Sequence, residues 1–385
     1  MADRLRVLLL FGGRSAEHDV SRVSAVSIAR ALDPKRYDVV PVAITKEGRW
    51  LLADDAMATL EKGPDALPEG FVVEGRAVVE RADPLKPELV PFDPDDEHAP
   101  EGMEFDVAIP MLHGPYGEDG TIQGLLELAG IPYVGAGVVG SAVGMDKVMM
   151  KRAFVAAGLP VAAWLEAREW DVDAAFLDRA EAEVGYPCFV KPANLGSSVG
   201  VTKAKDRAGL EAALDLALGF DEWVIVEEAI DGREIEVGVL GDHPPEASRP
   251  GEVEPGDEFY SYEDKYESSA ARLHAPAALT EDQEAEVREL AVRAFLACRG
   301  EAMARVDFFL EESGLTRGFL VNEVNTIPGF TAISMYPRLW EVSGVPYPEL
   351  IDRLIALALE RHERRRRRVG RPRDVGEPSG ELPIG

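Results

Sequence analysis

The stretch ARVDFF at residues 304–309, followed after a short turn by VNEVNTIPG at residues 321–329, indicates most about this chain. Both segments have the composition of β-strands, in which alternate residues lie on one face. If the two strands pair, Asp307 on the first meets Glu323 and Asn325 on the second. Mg²⁺ takes such oxygen-bearing side chains as ligands when nucleotide phosphates supply the others. A solvated sheet face would alternate in the same way, but the Pro-Gly turn and the Ser/Thr-containing loop that follow favour a metal site.

The composition bounds the class of protein. The chain has 385 residues, of which 46% are hydrophobic, which is enough for two or three domains with cores of their own. With 41 Lys and Arg against 70 Asp and Glu, the net charge is −29, which argues against nucleic acid or an anionic membrane as the main partner. The two cysteines, Cys188 and Cys298, argue against a disulfide framework. No apolar run approaches the roughly 18 residues of a membrane span, so we expect a soluble protein of the cytoplasm.

The N-terminal part has the pattern of a parallel α/β domain, which we place at residues 1–137. An apolar run at Arg6–Phe11 predicts a buried strand, and a Gly-Gly turn, a helix over Ser21–Leu32 and a second strand at Asp38–Ile44 follow. This order favours a ligand site at the carboxyl ends of the strands. Residues 55–104 are rich in Pro, Gly, Asp and Glu, and we predict a loop-rich extension there.

Two smaller α+β domains are predicted to follow, at residues 138–228 and 229–362. In the first of them, strands at Cys188–Lys191 and Trp223–Glu227 precede and follow a helix. Five consecutive arginines and the Pro/Gly-rich segment after them predict a disordered tail over residues 363–385. A solvated helix end explains the arginines better than a nucleic-acid site on so acidic a protein.

The segment KPANLGSSVG at residues 191–200 lies between two predicted strands and is rich in small residues. Small residues let backbone N–H groups approach a phosphate, and the hydroxyls of Ser197 and Ser198 can donate as well. The lysine precedes the glycines and a strand follows, so this is not a Walker A loop. We interpret the segment as a flap over phosphates, with Lys191 contacting phosphate oxygens. The alternatives are a plain hairpin turn and a surface lysine.

Four further segments carry weaker signals of function. Lys147 opens a helix, and Glu227–Ile230 ends a strand at a domain border, where backbone groups could bind an adenine. Glu17 follows the first Gly-Gly turn, at a crevice where a carboxylate could hold a substrate ammonium. His113 begins a second such loop, which runs to residue 120. Taken alone, each segment is equally explained by the chemistry of turns and strand ends.

Together these segments resemble the D-alanine–D-alanine ligases of the ATP-grasp superfamily. The matching motifs occur in the family's order, between about residues 5 and 355, as FGGRSAEHDVS, HGPYGEDGTIQG, MDKVMMK, VKPANLGSSVG, FYSYEDKYES, ARVDFF and VNEVNTIPGFTAISMYP. Residues 55–104 and the tail after His362 carry no motif. The resemblance implies an ATP-grasp fold, in which an N-terminal parallel α/β domain precedes two α+β domains that hold ATP between them.

The resemblance also implies the roles of individual residues. The implied catalytic residues are Glu17, Ser197, Tyr266 and Arg305. The implied ATP contacts are Lys147, Lys191, Ser198, Glu227, Ala229, Ile230, Glu234, Lys265 and Phe309. The implied substrate contacts are His113, Gly329, Ser334 and Met335. The implied ligands of two Mg²⁺ or Mn²⁺ ions are Asp307, Glu323 and Asn325. The segment Phe259–Ala271 resembles the family's mobile loop, which closes over the site with Tyr266.

The reaction implied by the resemblance joins two D-alanine molecules, with ATP as co-substrate, for peptidoglycan synthesis. Glu17 would hold the ammonium of the first D-alanine, and Arg305 would bind the second. The carboxylate of the first D-alanine would attack the γ-phosphate, and the resulting acyl phosphate would react with the amine of the second. The resemblance implies a homodimer that forms through the N-terminal domain.

Three rival functions differ in the acceptor or in activity itself. One is a D-Ala–D-Ser or D-Ala–D-Lac ligase; relatives that use D-lactate lack a tyrosine in the mobile loop, so Tyr266 favours an amine acceptor. A second is another ATP-grasp carboxylate–amine ligase, which the motifs around Glu17 and Ser334 argue against. The third is a nucleotide-binding regulator without activity. Such a protein would have lost metal or phosphate positions, whereas Asp307 and Lys191 are both present.

Overall fold

The computed structural model describes residues 4–52, 76–80, 88–91, 103–254, 272–313, 316–331 and 333–369. Within these ranges the chain forms three β-sheets with helices packed around them, as the α/β and α+β prediction requires. None of the helices in the described ranges combines the length and the hydropathy that crossing a membrane needs.

The first sheet is parallel at its centre and antiparallel towards one edge. Its strands among the described residues are β1 (Leu5–Gly12), β2 (Tyr37–Ile44), β3 (Trp50–Leu52), β4 (Arg76–Glu80), β5 (Glu88–Pro91), β6 (Met103–Glu104) and β7 (Val107–Met111). They lie in the order β6-β5-β4-β3-β2-β1-β7, and β1 pairs in parallel with both β2 and β7. The apolar run of β1 fits this central place, since residues 7–10 are fully buried. Strands β4, β5 and β6 lie inside the predicted loop-rich extension.

A buried serine ties the carboxyl ends of β1 and β7 together. Helix α1 (His18–Ala31) follows β1, and helix α2 (Thr121–Leu128) follows β7. Ser21, in the first turn of α1, accepts a hydrogen bond from the Gly12 N–H at 2.7 Å and donates one to the Met111 carbonyl. The loops that follow the two strands therefore lie side by side, at the edge where parallel sheets bind ligands.

The second sheet is antiparallel throughout and small. Its strands are β8 (Trp164–Arg168), β9 (Cys188–Pro192), β10 (Thr202–Ala204) and β11 (Trp223–Glu228), in the order β10-β9-β11-β8. The helices of this part are α3 (Val138–Met145), α4 (Lys147–Ala156), α5 (Ala174–Glu183) and α6 (Arg207–Leu218). Asp146, Asp173 and Asp206 each cap the next helix, because the side chain accepts a hydrogen bond from a backbone N–H of the first turn.

The third sheet carries the two strands with which the sequence analysis began. Its strands among the described residues are β12 (Arg233–Leu240), β13 (Glu246–Ala247), β14 (Gly251–Glu254), β15 (Arg272–His274), β16 (Met303–Glu311) and β17 (Gly318–Asn325). The main path runs β15-β14-β12-β16-β17, and its pairs are antiparallel. Helix α7 (Glu281–Ala297) packs on its apolar face and begins with a capping box of Thr280 and Gln283.

Two helices follow the third sheet, and the second of them returns to the first sheet. They are α8 (Met335–Val342) and α9 (Tyr347–Val369). The apolar face of α9, including Leu350 and Leu354, belongs to the same buried cluster as Val7 and Leu9 of β1. The predicted disordered tail is wrong for residues 363–369, which continue α9. Arg364 and Arg365, one turn beyond Arg361, form ion pairs with acidic side chains outside the helix. These ion pairs explain why the helix continues through this segment.

Candidate active site

A charged cluster lies on the more exposed face of β16 and β17. Along β16 the even-numbered residues 304–310 are buried, whereas Arg305, Asp307 and Phe309 are half-buried and share the opposite face. Asp307 is paired with Glu323, and Arg305 with Asn325, across the two strands. The Asn325 Nδ2 lies 2.9 Å from Asp307 Oδ2 and 3.5 Å from Glu323 Oε1. The three predicted metal ligands therefore lie together.

This donor set fits Mg²⁺ only together with oxygens from a bound substrate. In the part of the chain that the structure describes, no group of three His, Cys, Asp or Glu side chains is arranged to hold a metal. Asp307 and Glu323 bring two carboxylates, and Asn325 can turn its amide oxygen towards them. Mg²⁺ is commonly held by one or two carboxylates while phosphates and water complete its shell.

The pairing of β16 and β17 is irregular next to these carboxylates. Asp307 faces Glu323, but the next residue, Phe308, faces Val321, so Asn322 is an extra residue in β17. Such a β-bulge bends the strand, increases its local twist and changes the direction of neighbouring side chains. The bulge therefore sits directly beside the predicted metal ligands, at a position that alternation of residue types alone does not reveal.

Arg305 is held by two carboxylates. Its Nε and Nη2 each lie 2.7 Å from an oxygen of Asp307, and Nε lies 3.1 Å from Glu236 Oε2 on the neighbouring strand β12. Burial alone would lower the pKa of Arg305, but Asp307 and Glu236 raise it well above its usual value. The guanidinium therefore stays charged at any pH that the fold survives, as a group that binds carboxylate or phosphate must.

Lys191, at the end of β9, reaches the same region from the second sheet. Its Nζ lies 2.5 Å from Glu227 Oε2, and the Nζ of Lys151 lies 2.7 Å from Glu227 Oε1. Burial alone would raise the pKa of Glu227, but the two lysines lower it to about 2. The Glu227 carboxylate, predicted to contact ATP, is thus engaged by two lysines.

The small-residue loop after β9 is held close to helix α4. Lys147 donates hydrogen bonds to the loop from its side chain, to the Leu195 carbonyl, and from its backbone N–H, to the Ala193 carbonyl at 3.0 Å. Ser197 and Ser198 adopt positive φ angles of 49° and 58°, which L-residues rarely do. Such strain is typical of loops whose backbone is shaped for a ligand.

Glu17 joins the N-terminal loop to this small-residue loop. The Ser197 hydroxyl donates a hydrogen bond to Glu17 Oε1. A β-carbon added at Gly114 would lie 2.6 Å from Glu17 Oε2, and one added at Gly196 would lie 2.7 Å from it. A side chain at either position would displace the Glu17 carboxylate, because the backbones at Gly114 and Gly196 both approach it closely. A carboxylate enclosed in this way can hold a small ammonium group.

His113 connects the N-terminal loop to the segment after β17. Its Nδ1 lies 2.9 Å from the Ile327 carbonyl, and its Nε2 lies 3.3 Å from Ser24 Oγ. Glu118 Oε1 is 3.8 Å from Nδ1, too far for a hydrogen bond but close enough to act through its charge. Burial alone would lower the pKa of His113, but Glu118 and Glu17 raise it above the usual value.

The segment that leads into α8 brings Gly329 and Ser334 together. A β-carbon on Gly329 would lie 3.1 Å from Ser334 Oγ. The same hydroxyl accepts a hydrogen bond from the Thr331 N–H at 3.1 Å and lies 2.7 Å from Thr331 Oγ1. Met335 is buried and packs against Val253, so its side chain is part of a core rather than a surface.

Comparisons with known proteins agree with this geometry. Residues 6–136 match the family model described as D-ala D-ala ligase N-terminus, and residues 153–356 match the one described as D-ala D-ala ligase C-terminus. The chain belongs to the D-alanine–D-alanine ligase family. The ATP-grasp fold that the resemblance implied is thereby confirmed.

Members of the D-alanine–D-alanine ligase family resemble the chain over almost its whole length. A protein of Geobacillus kaustophilus named D-alanine–D-alanine ligase is 47% identical over 365 residues, which cover 94% of this chain and 96% of that protein. A protein of the same name from Streptomyces griseus is 51% identical over 371 residues, which cover 92% of this chain and 93% of that protein.

Two solved structures of related ligases have the same fold. The D-alanine–D-alanine ligase of Coxiella burnetii aligns with a TM-score of 0.81 at 36% identity, over 96% of this chain and 97% of its own. The VanG D-Ala:D-Ser ligase of Enterococcus faecalis aligns with a TM-score of 0.80 at 32% identity, over 92% of this chain and 100% of its own.

The remaining residues that the family resemblance implicated have different outcomes. Tyr266 and Lys265, with the mobile-loop motif, lie outside the described residues. The backbone of Ala229 and Ile230 is predicted to contact adenine, but the Ala229 N–H donates to the Pro187 carbonyl at 3.1 Å. Two further predicted ATP contacts, Glu234 and Phe309, lie opposite each other on β12 and β16.

Sequence reasoning missed three residues that the structure places in this region. Glu236 follows Glu234 by two positions on β12, so the strand period could have indicated that both lie on one face. Lys151 follows Lys147 by one helical turn, which puts both on one side of α4. Glu118 lies in a loop, where no periodic signal exists; its Oε2 accepts a hydrogen bond from the Ile327 N–H at 3.2 Å.

Proposed function

We propose that this protein is an ATP-dependent ligase that joins two D-alanine molecules into D-alanyl-D-alanine, a precursor of peptidoglycan. The hydrogen bond between Ser197 and Glu17 carries the proposal. It links the strained loop suited to phosphates with the enclosed carboxylate suited to an ammonium. A carboxylate of an amino acid held by Glu17 would thus lie beside the phosphates that this loop covers.

The first step activates a poor acyl donor. The carboxylate oxygen of the first D-alanine attacks the γ-phosphorus, the bond from γ-phosphorus to the bridging oxygen breaks, and ADP leaves with that bond's electrons. Catalysis of phosphoryl transfer consists mostly of positioning and charge stabilisation. Glu17 positions the ammonium, and the ammonium of Lys191 stabilises the charge on the phosphates.

The second step forms the amide. The amine of the second D-alanine, having lost its ammonium proton to water, attacks the acyl carbon and forms the C–N bond. The bond from that carbon to the phosphate oxygen breaks, inorganic phosphate leaves with the bond's electrons, and a further proton passes from the nitrogen to water. Arg305 stabilises the negative charge on the departing phosphate and binds the second D-alanine. The acyl phosphate hydrolyses in water, so the loop at residues 193–200 must exclude water while the intermediate exists.

We include Asp307, Glu323 and Asn325 in the proposal as ligands of Mg²⁺ or Mn²⁺. Ions bound there would neutralise charge on the transferring phosphoryl group. The supporting observation is that two carboxylates and an amide lie on one sheet face with Arg305.

The test is release of inorganic phosphate from ATP in the presence of Mg²⁺. We expect release with D-alanine but not with L-alanine, and the dipeptide by mass spectrometry in equal amount. Release without D-alanine, or release without dipeptide, would contradict the proposed ligation. Parallel reactions with D-alanine plus D-serine or D-lactate measure the acceptor range, and we expect D-alanyl-D-alanine to dominate at neutral pH.

The proposal includes three further expectations, on the placement of the substrates, the compartment and the oligomeric state. We place ATP between the domains at residues 138–228 and 229–362, and the first D-alanine against the domain at residues 1–137. Because ATP is the co-substrate, the reaction belongs in the cytoplasm. The expectation of a homodimer rests on the family resemblance. Light scattering on the purified protein measures the mass of the particle and so tests this expectation.

A further inference from the structure

Lys151 is a buried lysine to which the proposed reaction gives no task. It lies one turn after Lys147 on α4, and its side chain is only 2% exposed. Its Nζ lies 2.7 Å from Glu227 Oε1 and 3.4 Å from the Val321 carbonyl of β17. A lysine is rarely buried unless it is paired. With so little surface, Lys151 has no access to a nucleotide of its own.

The carboxylate of Glu227 divides its two oxygens between two lysines. Oε1 faces Lys151, and Oε2 lies 2.5 Å from Lys191, which is 15% exposed at the base of the loop over residues 193–200. Two ammonium groups and one carboxylate leave one net positive charge. If Lys151 were absent, the remaining pair of Lys191 and Glu227 would be neutral. Lys191 also feels the carboxylates of Glu234 and Glu323, which weaken its field further.

We propose that Lys151 is a positioning residue that compensates the charge of Glu227, so that Lys191 keeps its positive charge available for the phosphates of ATP. The proposal rests on the ligase function given above. Lys151 acts through Glu227 and does not touch the nucleotide. The effect is electrostatic and strong because the trio is shielded from solvent, where charges interact at a lower effective dielectric constant than in water.

Binding of ATP and of adenosine separates this role from a structural one. The variants are Lys151→Met, Glu227→Gln and the double variant. Calorimetry without D-alanine measures how tightly each variant binds ATP with Mg²⁺ and how tightly it binds adenosine. We expect Lys151→Met to weaken ATP binding by about tenfold or more, and adenosine binding by less than about twofold. In the double variant a neutral Gln no longer offsets Lys191, so at least half of the lost ATP affinity, on a logarithmic scale, returns.

Arg152→Met is the matched control. Arg152 is the next residue of α4, its side chain is 49% exposed, and it pairs with Glu166. Its removal deletes one cation from the same helix, and we expect the ratio of ATP to adenosine affinity to stay within about twofold of wild type. A similar loss of ATP affinity in Arg152→Met would overturn the proposal, since any nearby cation would then serve.

Two other outcomes overturn the proposal. One is an equal loss of ATP and adenosine binding in Lys151→Met, which indicates a distorted site. The other is a double variant that binds ATP no better than Lys151→Met. If Lys151→Met does not fold, Lys151→Arg and the double variant carry the test. Lys151→Arg must keep the wild-type ratio of ATP to adenosine affinity, and the double variant must stay within about threefold of that ratio. The readout needs no turnover, so failure of the ligase function would appear separately, as wild-type protein that binds ATP without forming dipeptide.

Discussion

Arg305 and Asp307 stand two residues apart on one strand and are joined by two hydrogen bonds of 2.7 Å. Residues so spaced share a sheet face, and here the guanidinium and the carboxylate meet side by side. Both oxygens of Asp307 are thereby engaged by Arg305. A cation bound at Asp307 must share those oxygens with Arg305, so metal binding and the orientation of Arg305 are coupled.

The first prediction concerns Asp307→Asn. The substitution keeps the shape of the side chain but removes the charge that a divalent cation needs. We expect the rate of dipeptide formation to fall by about 100-fold or more, and the Mg²⁺ concentration for half-maximal rate to rise. Steady-state kinetics over a range of Mg²⁺ concentrations measure both. Glu286→Gln, an exposed carboxylate on α7, is the control and should leave both values unchanged.

The second prediction concerns Glu17→Gln. If the carboxylate holds the ammonium of the first D-alanine, the substitution removes a charge-assisted contact of about 1.5–3 kcal/mol. The KM for D-alanine at the first site should rise by about 10- to 100-fold, while the KM for ATP changes little. Glu47→Gln, at an exposed position of the same domain, serves for comparison. An unchanged KM for D-alanine would remove Glu17 from the substrate site.

The third prediction concerns stability in acid. The pKa of Glu227 is lowered to about 2 in the folded state, against about 4.3 in an unfolded chain. A group with a lowered folded-state pKa contributes stability that is present above its unfolded value and is lost as the pH falls towards its folded value. Glu227→Gln should therefore be less stable than wild type at pH 6, and the difference should shrink between about pH 4.3 and pH 2. Thermal midpoints across this range measure it; a constant difference would contradict the assignment.

The fourth prediction concerns Arg361 of α9. This buried side chain donates hydrogen bonds of 2.6 Å to the carbonyls of Gly135 and Tyr133 and lies over the Tyr133 ring at 4.6 Å. Arg361→Ala would leave two buried carbonyls without donors, so we expect a loss of about 2–4 kcal/mol in the free energy of unfolding. Arg366→Ala, whose side chain is 74% exposed, should cost less than about 0.5 kcal/mol. Denaturant titration compares the two.

Local patterns in the sequence were enough for some of these features. The alternation along β16 predicts that Arg305 and Asp307 share a face, because strand geometry repeats every two residues. Pairing across the turn to Glu323 follows, since neighbouring strands joined by a short turn pair in antiparallel fashion. The apolar run of β1 predicts its buried, parallel place in the first sheet in the same way.

Contacts between distant segments could not be predicted from local patterns. Lys151 meets the Val321 carbonyl across 170 residues, and its helix reads as an ordinary amphipathic segment. The arginines after residue 363 read as a disordered tail, because the acidic partners that order them lie on other elements. The engagement of the Ala229 N–H by Pro187 likewise depends on how two strands meet. The proposed roles of the site residues stay predictions until the variants are measured.

The packing of α9 on the first sheet bears on how the protein is made. Domains fold as units while the ribosome extends the chain, and the N-terminal one emerges first. Here one face of β1 is covered by Leu350 and Leu354, and Arg361 donates to carbonyls 226 and 228 residues earlier. The nascent N-terminal sheet thus carries an uncovered apolar face until α9 has been translated. We expect chaperones to bind this apolar face during that interval. A ribosome stalled before residue 347 would prolong the exposure of the face.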